Sequence, residues 1–120
     1  MSRTALLIVD HGSKQAEANA KLKQVAALLE ALRPGLIVRY AHMQLAPPDI
    51  AASIEACVQA GATEVVIHPY MLSPGRHATQ DIPRIAAESA ARHPDVKFRV
   101  TDPLGLDRKI AEVVLERADL

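Results

Sequence analysis

The feature that most constrains this chain is a regular alternation between two residue periodicities. Short apolar or β-branched runs at Ala5 to Asp10, Ile37 to Met43, Glu64 to Pro69 and Val96 to Thr101 have strand character. Within them Ala5-Leu6-Leu7-Ile8-Val9 and Val65-Val66-Ile67 are apolar at every position, the pattern of strands covered on both faces. Between the runs the spacing becomes helical. Ala18, Leu22, Val25, Leu29 and Leu32 form one stripe, stopped by Arg33-Pro34-Gly35, and Ile50, Ile54, Cys57 and Val58 form a second, stopped by Gly61. A third helix is expected from near Asp81, with Pro83 in its first turn, to His93-Pro94, and a fourth over roughly Asp107 to Arg117.

The order β-α-β-α-β-α-β-α requires parallel strands joined by right-handed crossovers, with helices on both faces. The expected fold is thus an α/β, doubly wound, four-stranded parallel sheet in the order 2-1-3-4, a single domain over residues 1–120. At 120 residues and 49% hydrophobic content the chain fills one core and has no room for a second full domain. In that order strands 1 and 3 lie side by side where the winding reverses, and a ligand is expected beyond their carboxyl ends.

Composition excludes several function classes. Lys plus Arg and Asp plus Glu number 14 each, so no net charge draws the molecule to nucleic acid or an anionic membrane. Tyr40, Tyr70 and Phe98 are the only aromatics apart from histidine, too few for a base-stacking surface. The apolar run Ala5 to Val9 is too short for a signal segment or a membrane span. Cys57 is the single cysteine, which rules out an internal disulfide and a cysteine-built metal cluster within one chain and fits a reducing, cytoplasmic setting. Its place on the second helical stripe makes it a small core residue.

The chemistry-bearing residues gather at the expected ligand edge. Strand 1 ends in Asp10-His11-Gly12-Ser13, and strand 3 is followed by a long connection, His68-Pro69-Tyr70-Met71-Leu72-Ser73-Pro74-Gly75-Arg76-His77. His11 and His77 therefore open on one crevice. Two imidazoles suit a borderline divalent ion and leave coordination positions open, as a metal that must be handed on requires. His68 is read as a hydrogen-bonded core residue, His42 as a weaker ligand candidate at the end of an edge strand, and His93 as a helix-end residue near the last carbonyls. Gly12-Ser13 and Gly75-Arg76 could instead cradle a phosphate, although the chain has neither GxGxxG nor GxxxxGK.

The segments L-I-V-D-H-G-S, A-H-M-Q-L-A-P-P-D-I, A-G-A-T-E-V-V-I-H-P-Y-M-L-S-P-G-R-H, D-I-P and P-L-G-L, in order from about Leu6 to Val114, resemble the small CbiX-type sirohydrochlorin chelatases. The resemblance implies a chelatase-like, flavodoxin-like fold. It also implies an ATP-independent class II lyase, with no nucleotide, that inserts Co2+ or Fe2+, in some members Ni2+, into sirohydrochlorin or a close precorrin for cobalamin, sirohaem or nickel-tetrapyrrole biosynthesis. The family's metal-binding and catalytic histidines fall on His11 and His77. Its usual glutamate falls on Gln44, a neutral amide that is neither a useful base nor a good metal ligand. Longer family members hold two such domains around the tetrapyrrole, which implies a homodimer here. Arg76 and Ser13, with Lys14 and Arg84, are candidates to hold the carboxylates of the tetrapyrrole rim. The competing expectation is a non-catalytic metal or tetrapyrrole carrier of the same fold, which Gln44 favours.

Overall fold

The computed structural model describes residues 2–120. Its elements run β1 (Thr4–Asp10), α1 (Ala16–Leu32), β2 (Ile37–His42), α2 (Ile50–Gln59), β3 (Glu64–Pro69), α3 (Arg76–Arg92), β4 (Lys97–Val100) and α4 (Arg108–Arg117). The four strands form one parallel sheet in the order β2-β1-β3-β4, the topology expected from the alternation. The apolar run of β1 is explained by its place: it pairs with β2 on one side and β3 on the other.

Each face of β1 feeds a different core. Ala5, Leu7 and Val9 pack with Ile50, Ile54 and Cys57 of α2 and Ala78, Ile82 and Ala86 of α3. Ile8 packs with Val38 and with Leu22 and Ala26 of α1 on the opposite face. The Asp49 side chain caps α2 by accepting from the Ala52 N–H at 2.8 Å, and Asp107 caps α4 by accepting from Lys109 N–H at 2.8 Å.

One sequence expectation is corrected. Helix α3 begins at Arg76, not near Asp81, so the connection after β3 is only residues 70–75 and Pro83 lies inside the helix. The apolar period marks only what packs on the sheet, and the polar first turn, Arg76-His77, carries no such mark until Ala78 and Ile82 are seen to be buried. Helix α4 contributes no residue to either buried core. It forms where expected, but it buries none of its residues, and Val113, Val114 and Leu115 stay 44%, 61% and 51% exposed. Its apolar side has no partner in the described residues.

Candidate functional site

The register of the sheet brings Asp10 opposite His42 on one side and Val9 opposite Pro69 on the other, so three strand ends finish level. Beyond them lies a cavity of about 310 Å³, lined by His11 after β1, Met43 and Gln44 after β2, and Gly75, His77 and Asp81 around the start of α3. His11 and His77 are exposed, and both face this one space, as the switch-point argument requires.

Local chemistry fixes the His11 loop. Asp10 Oδ1 accepts from the Gly12 N–H at 3.0 Å and from the His42 ring Nδ1–H at 2.6 Å. His42 is 1% exposed, so its ring is a buried strut beneath the loop, and its Nδ1 is already committed to a carboxylate. This disposes of His42 as a ligand candidate. Gly12 has a φ of +85°, and a Cβ there would stand 1.9 Å from the Gln44 carbonyl oxygen. Only glycine allows the strand 2 loop to lie so close. The two loops are also stitched by Met43 N–H to the Asp10 carbonyl at 2.9 Å and Gln44 N–H to the His11 carbonyl at 3.3 Å. Leu45, next in sequence, takes a φ of 71°, a left-handed conformation uncommon outside glycine.

Ser13 does not line the cavity. Its Oγ accepts from Gln15 N–H at 2.9 Å, while Asn19 bonds both its N–H and its carbonyl, which folds the loop back onto α1. Its own hydroxyl proton stays free to donate. Arg76 is exposed at the first position of α3 beside His77, and it has no ion-pair partner among the described residues. Gly75 at the helix start offers no side-chain cap, so the first N–H groups of α3 are left for solvent or ligand.

The other titratable candidates resolve into structural roles. His68 Nδ1 lies 2.8 Å from Thr101 Oγ1, and burial pushes its pKa below the ordinary value, offset in part by a hydrogen bond with the Asp102 backbone. The His93 ring binds Glu55 Oε1 of α2 at 2.7 Å; the contact to the last carbonyls of α3 is made by its backbone N–H instead. Cys57 is fully buried, and burial, opposed only weakly by the Arg39 charge, pushes its thiol up to about 11. It is a core residue and no nucleophile.

Sequence reasoning missed Asp81. Once α3 is seen to start at Arg76, His77 and Asp81 stand at i and i+4 on one helix face. The spacing H-x-x-x-D was the available signal, hidden by the late helix start. Among the described residues no three His, Cys, Asp or Glu side chains are close enough to hold a metal ion between them. The cavity is an open, imidazole-bearing crevice rather than a closed cage, suited to a divalent ion that must be released.

Known proteins align with this arrangement along its length. The chain is 38% identical over 112 residues to the chloroplastic sirohydrochlorin ferrochelatase of Arabidopsis thaliana, covering 93% of this chain and 50% of that one. It is 29% identical over 140 residues to the sirohydrochlorin cobaltochelatase of Methanococcus maripaludis, covering 96% and 97% of the two chains. It superposes on the sirohydrochlorin chelatase SirB from Bacillus subtilis subspecies spizizenii, solved in complex with cobalt, with a TM-score of 0.88 and 29% identity, over 98% of this chain and 50% of that one. The chain thus spans about half the length of the Arabidopsis and Bacillus proteins and nearly all of the Methanococcus one. Residues 5–119 match the CbiX family, and with the parallel sheet and the His11 and His77 crevice in the same chain, this protein belongs to that family.

Proposed function

We propose that this chain is a sirohydrochlorin chelatase that inserts Co2+ or Fe2+, with Ni2+ a further candidate, into sirohydrochlorin or a close precorrin without ATP. The observation that carries the reading is the convergence of His11 and His77 on one open cavity at the switch point of a CbiX fold. Relatives named for both iron and cobalt insertion support the two metals.

Metalation needs two pyrrole N–H protons to leave while a partly dehydrated ion approaches the ring face. In the proposal His11 and His77 hold the ion through the free nitrogens of their neutral imidazoles, and as the ion passes to the ring each freed nitrogen takes up one of the two departing pyrrole protons. The ion is substrate, so a site with open positions is an advantage. Arg76, the free Ser13 proton and the uncapped N–H groups of α3 are assigned to the substrate's carboxylates. No ATP step is assigned, following the ATP-independent class II chelatases that the chain resembles.

The proposal includes a second copy. A cavity of about 310 Å³ is at the small end of ligand pockets and takes in the metal and one edge of a tetrapyrrole, not the whole ring. Relatives of twice the length support pairing of two such units around one substrate. So does the bare apolar side of α4, with Val114 61% exposed. Wild-type protein is expected to run as a dimer in light scattering, and Val114→Glu to shift it toward monomer; a monomeric wild type at micromolar concentration refutes this part. The assigned setting is the cytoplasm, and among the described residues no helix is long and apolar enough to cross a membrane.

Gln44 supports one rival, a metal or tetrapyrrole carrier, because an amide stands in the cavity where the resembled enzymes have a carboxylate. Turnover separates the two. Anaerobic mixing of the protein with excess sirohydrochlorin and Co2+, Fe2+ or Ni2+, without nucleotide, is expected to give many equivalents of metallated product by absorption spectroscopy. One equivalent or less identifies a carrier.

A further inference from the structure

The cavity has an electrostatic problem that the two histidines do not solve. A divalent cation must come to a mouth formed by the uncapped N-terminus of α3 with Arg76 beside it, both electropositive. The molecule as a whole has no net charge to attract the ion. Imidazoles that ligate metal do so in the neutral form and exert no long-range pull. Position 44, which the resemblance would fill with a carboxylate, presents an amide.

Asp81 is the one carboxylate among the residues lining the cavity. It stands one helical turn beyond His77, between Ala78 and Ile82, which are 2% and 1% exposed and pin this face of α3 toward the sheet. Its carboxylate shares its cationic partner with a second carboxylate. Arg84 is its ion-pair partner at 3.6 Å, but the same guanidinium makes its shorter contact, 2.9 Å, with Glu88. The Asp81 side chain is 41% exposed, so it meets solvent and cavity together.

We propose that Asp81 is the metal-capture residue of this crevice: its carboxylate takes the incoming hydrated divalent ion and brings it against His11 and His77, doing the work that position 44 cannot. The contact runs through the ion's water shell at first, because no three ligating side chains are already gathered. The inference rests on the chelatase reading for its role in turnover, but not for metal binding itself.

The test uses the whole chain and two readouts. Co2+ alone is titrated and followed by its visible absorption, and initial metalation rates are measured against Co2+ at saturating sirohydrochlorin. Asp81→Asn is expected to raise both the Co2+ Kd and the KM for Co2+ about 10-fold, the order for removing one charge near a hydrated divalent ion, with kcat within about 3-fold. Asp81→Glu keeps the charge and is expected to keep both constants near wild type. Gln44→Glu added to Asp81→Asn is expected to recover most of the loss. Glu30→Gln, an equal charge change on exposed α1 against the opposite face of the sheet, is expected to change nothing. Wild-type Kd and KM in Asp81→Asn overturn the inference, as does a fall in kcat with Kd and KM unchanged. If the wild type does not metallate sirohydrochlorin yet Asp81→Asn weakens Co2+ binding, the chelatase reading falls and Asp81 stands as the capture residue.

Discussion

Gly12→Ala measures how rigidly the two loops of the crevice are locked together. The new Cβ would stand 1.9 Å from the Gln44 carbonyl oxygen, and ordinary contact begins near 3.4 Å, so the strand 2 loop must retreat by about 1.5 Å. That movement breaks the 3.3 Å hydrogen bond from Gln44 N–H to the His11 carbonyl, at a cost of about 1 kcal/mol. Holding alanine at a φ of +85° costs about 1–2 kcal/mol more. Against this, alanine stiffens the unfolded chain and returns about 0.4–1 kcal/mol. The net expectation is a destabilisation of about 2 kcal/mol, a large share of the roughly 5–15 kcal/mol typical of a domain. Equilibrium urea unfolding reads it directly: with a slope of about 1.5 kcal/mol/M the midpoint falls by about 1.3 M. Co2+ affinity is expected to fall as well, because the loop that carries His11 loses its hydrogen bond to the retreating strand 2 loop. A loss under about 0.5 kcal/mol with unchanged Co2+ binding refutes the reasoning and means that the loops are compliant.

Three further outcomes follow from the same geometry. His11→Ala and His77→Ala are each expected to cut metalation at least about 100-fold while leaving the thermal midpoint within a few degrees, since both side chains are exposed; wild-type rates in either one remove that residue from the site. Cys57→Ala is expected to keep full activity and to cost about 1 kcal/mol in urea unfolding for the small cavity left in the buried core to which it belongs; an inactive folded variant contradicts a purely packing role. Folding lowers the His68 pKa, so the unfolded chain binds that proton more tightly: stability is full above the unfolded value of about 6.5 and falls as the pH drops through it. The urea midpoint is therefore expected to fall between about pH 7.5 and pH 5.5, and less so in His68→Gln; equal slopes in the two proteins discount His68.

The sheet order was legible because each of its determinants is local. The runs at β1 and β3 are apolar at every position only because both faces are covered, and that same fact makes them the two inner strands. That His11 and His77 meet at one cavity was legible because strand ends in this topology leave few places to stand. What escaped were features set by partners distant in sequence. Nothing around Asp10 or His42 announces that the two side chains meet at 2.6 Å across 32 residues, so a buried strut read as a spare ligand. His93 reads as a helix-end residue because its bond to Glu55 spans 38 residues. The sequence places α4 but does not show that it buries none of its residues, because that depends on what packs against it.

The start of α3 is the most instructive case, because five residues decide the chemistry. A helix beginning near Asp81 would put His77 on a loose connection and Asp81 at a helix start, two residues with no fixed relation. A helix beginning at Arg76 puts them one turn apart on a rigid face pinned by buried Ala78 and Ile82. A rigid pair one turn apart can present a carboxylate and an imidazole to the same ion in a fixed order, which a flexible loop could do only by giving up conformational entropy at each capture. His11 comes to the same cavity on the other side, on a loop braced by Asp10, His42 and the Gly12 crossing. Under the capture proposal the labour divides by placement: the wall formed by α3 collects the ion, and His11 on its braced loop meets it from across the crevice.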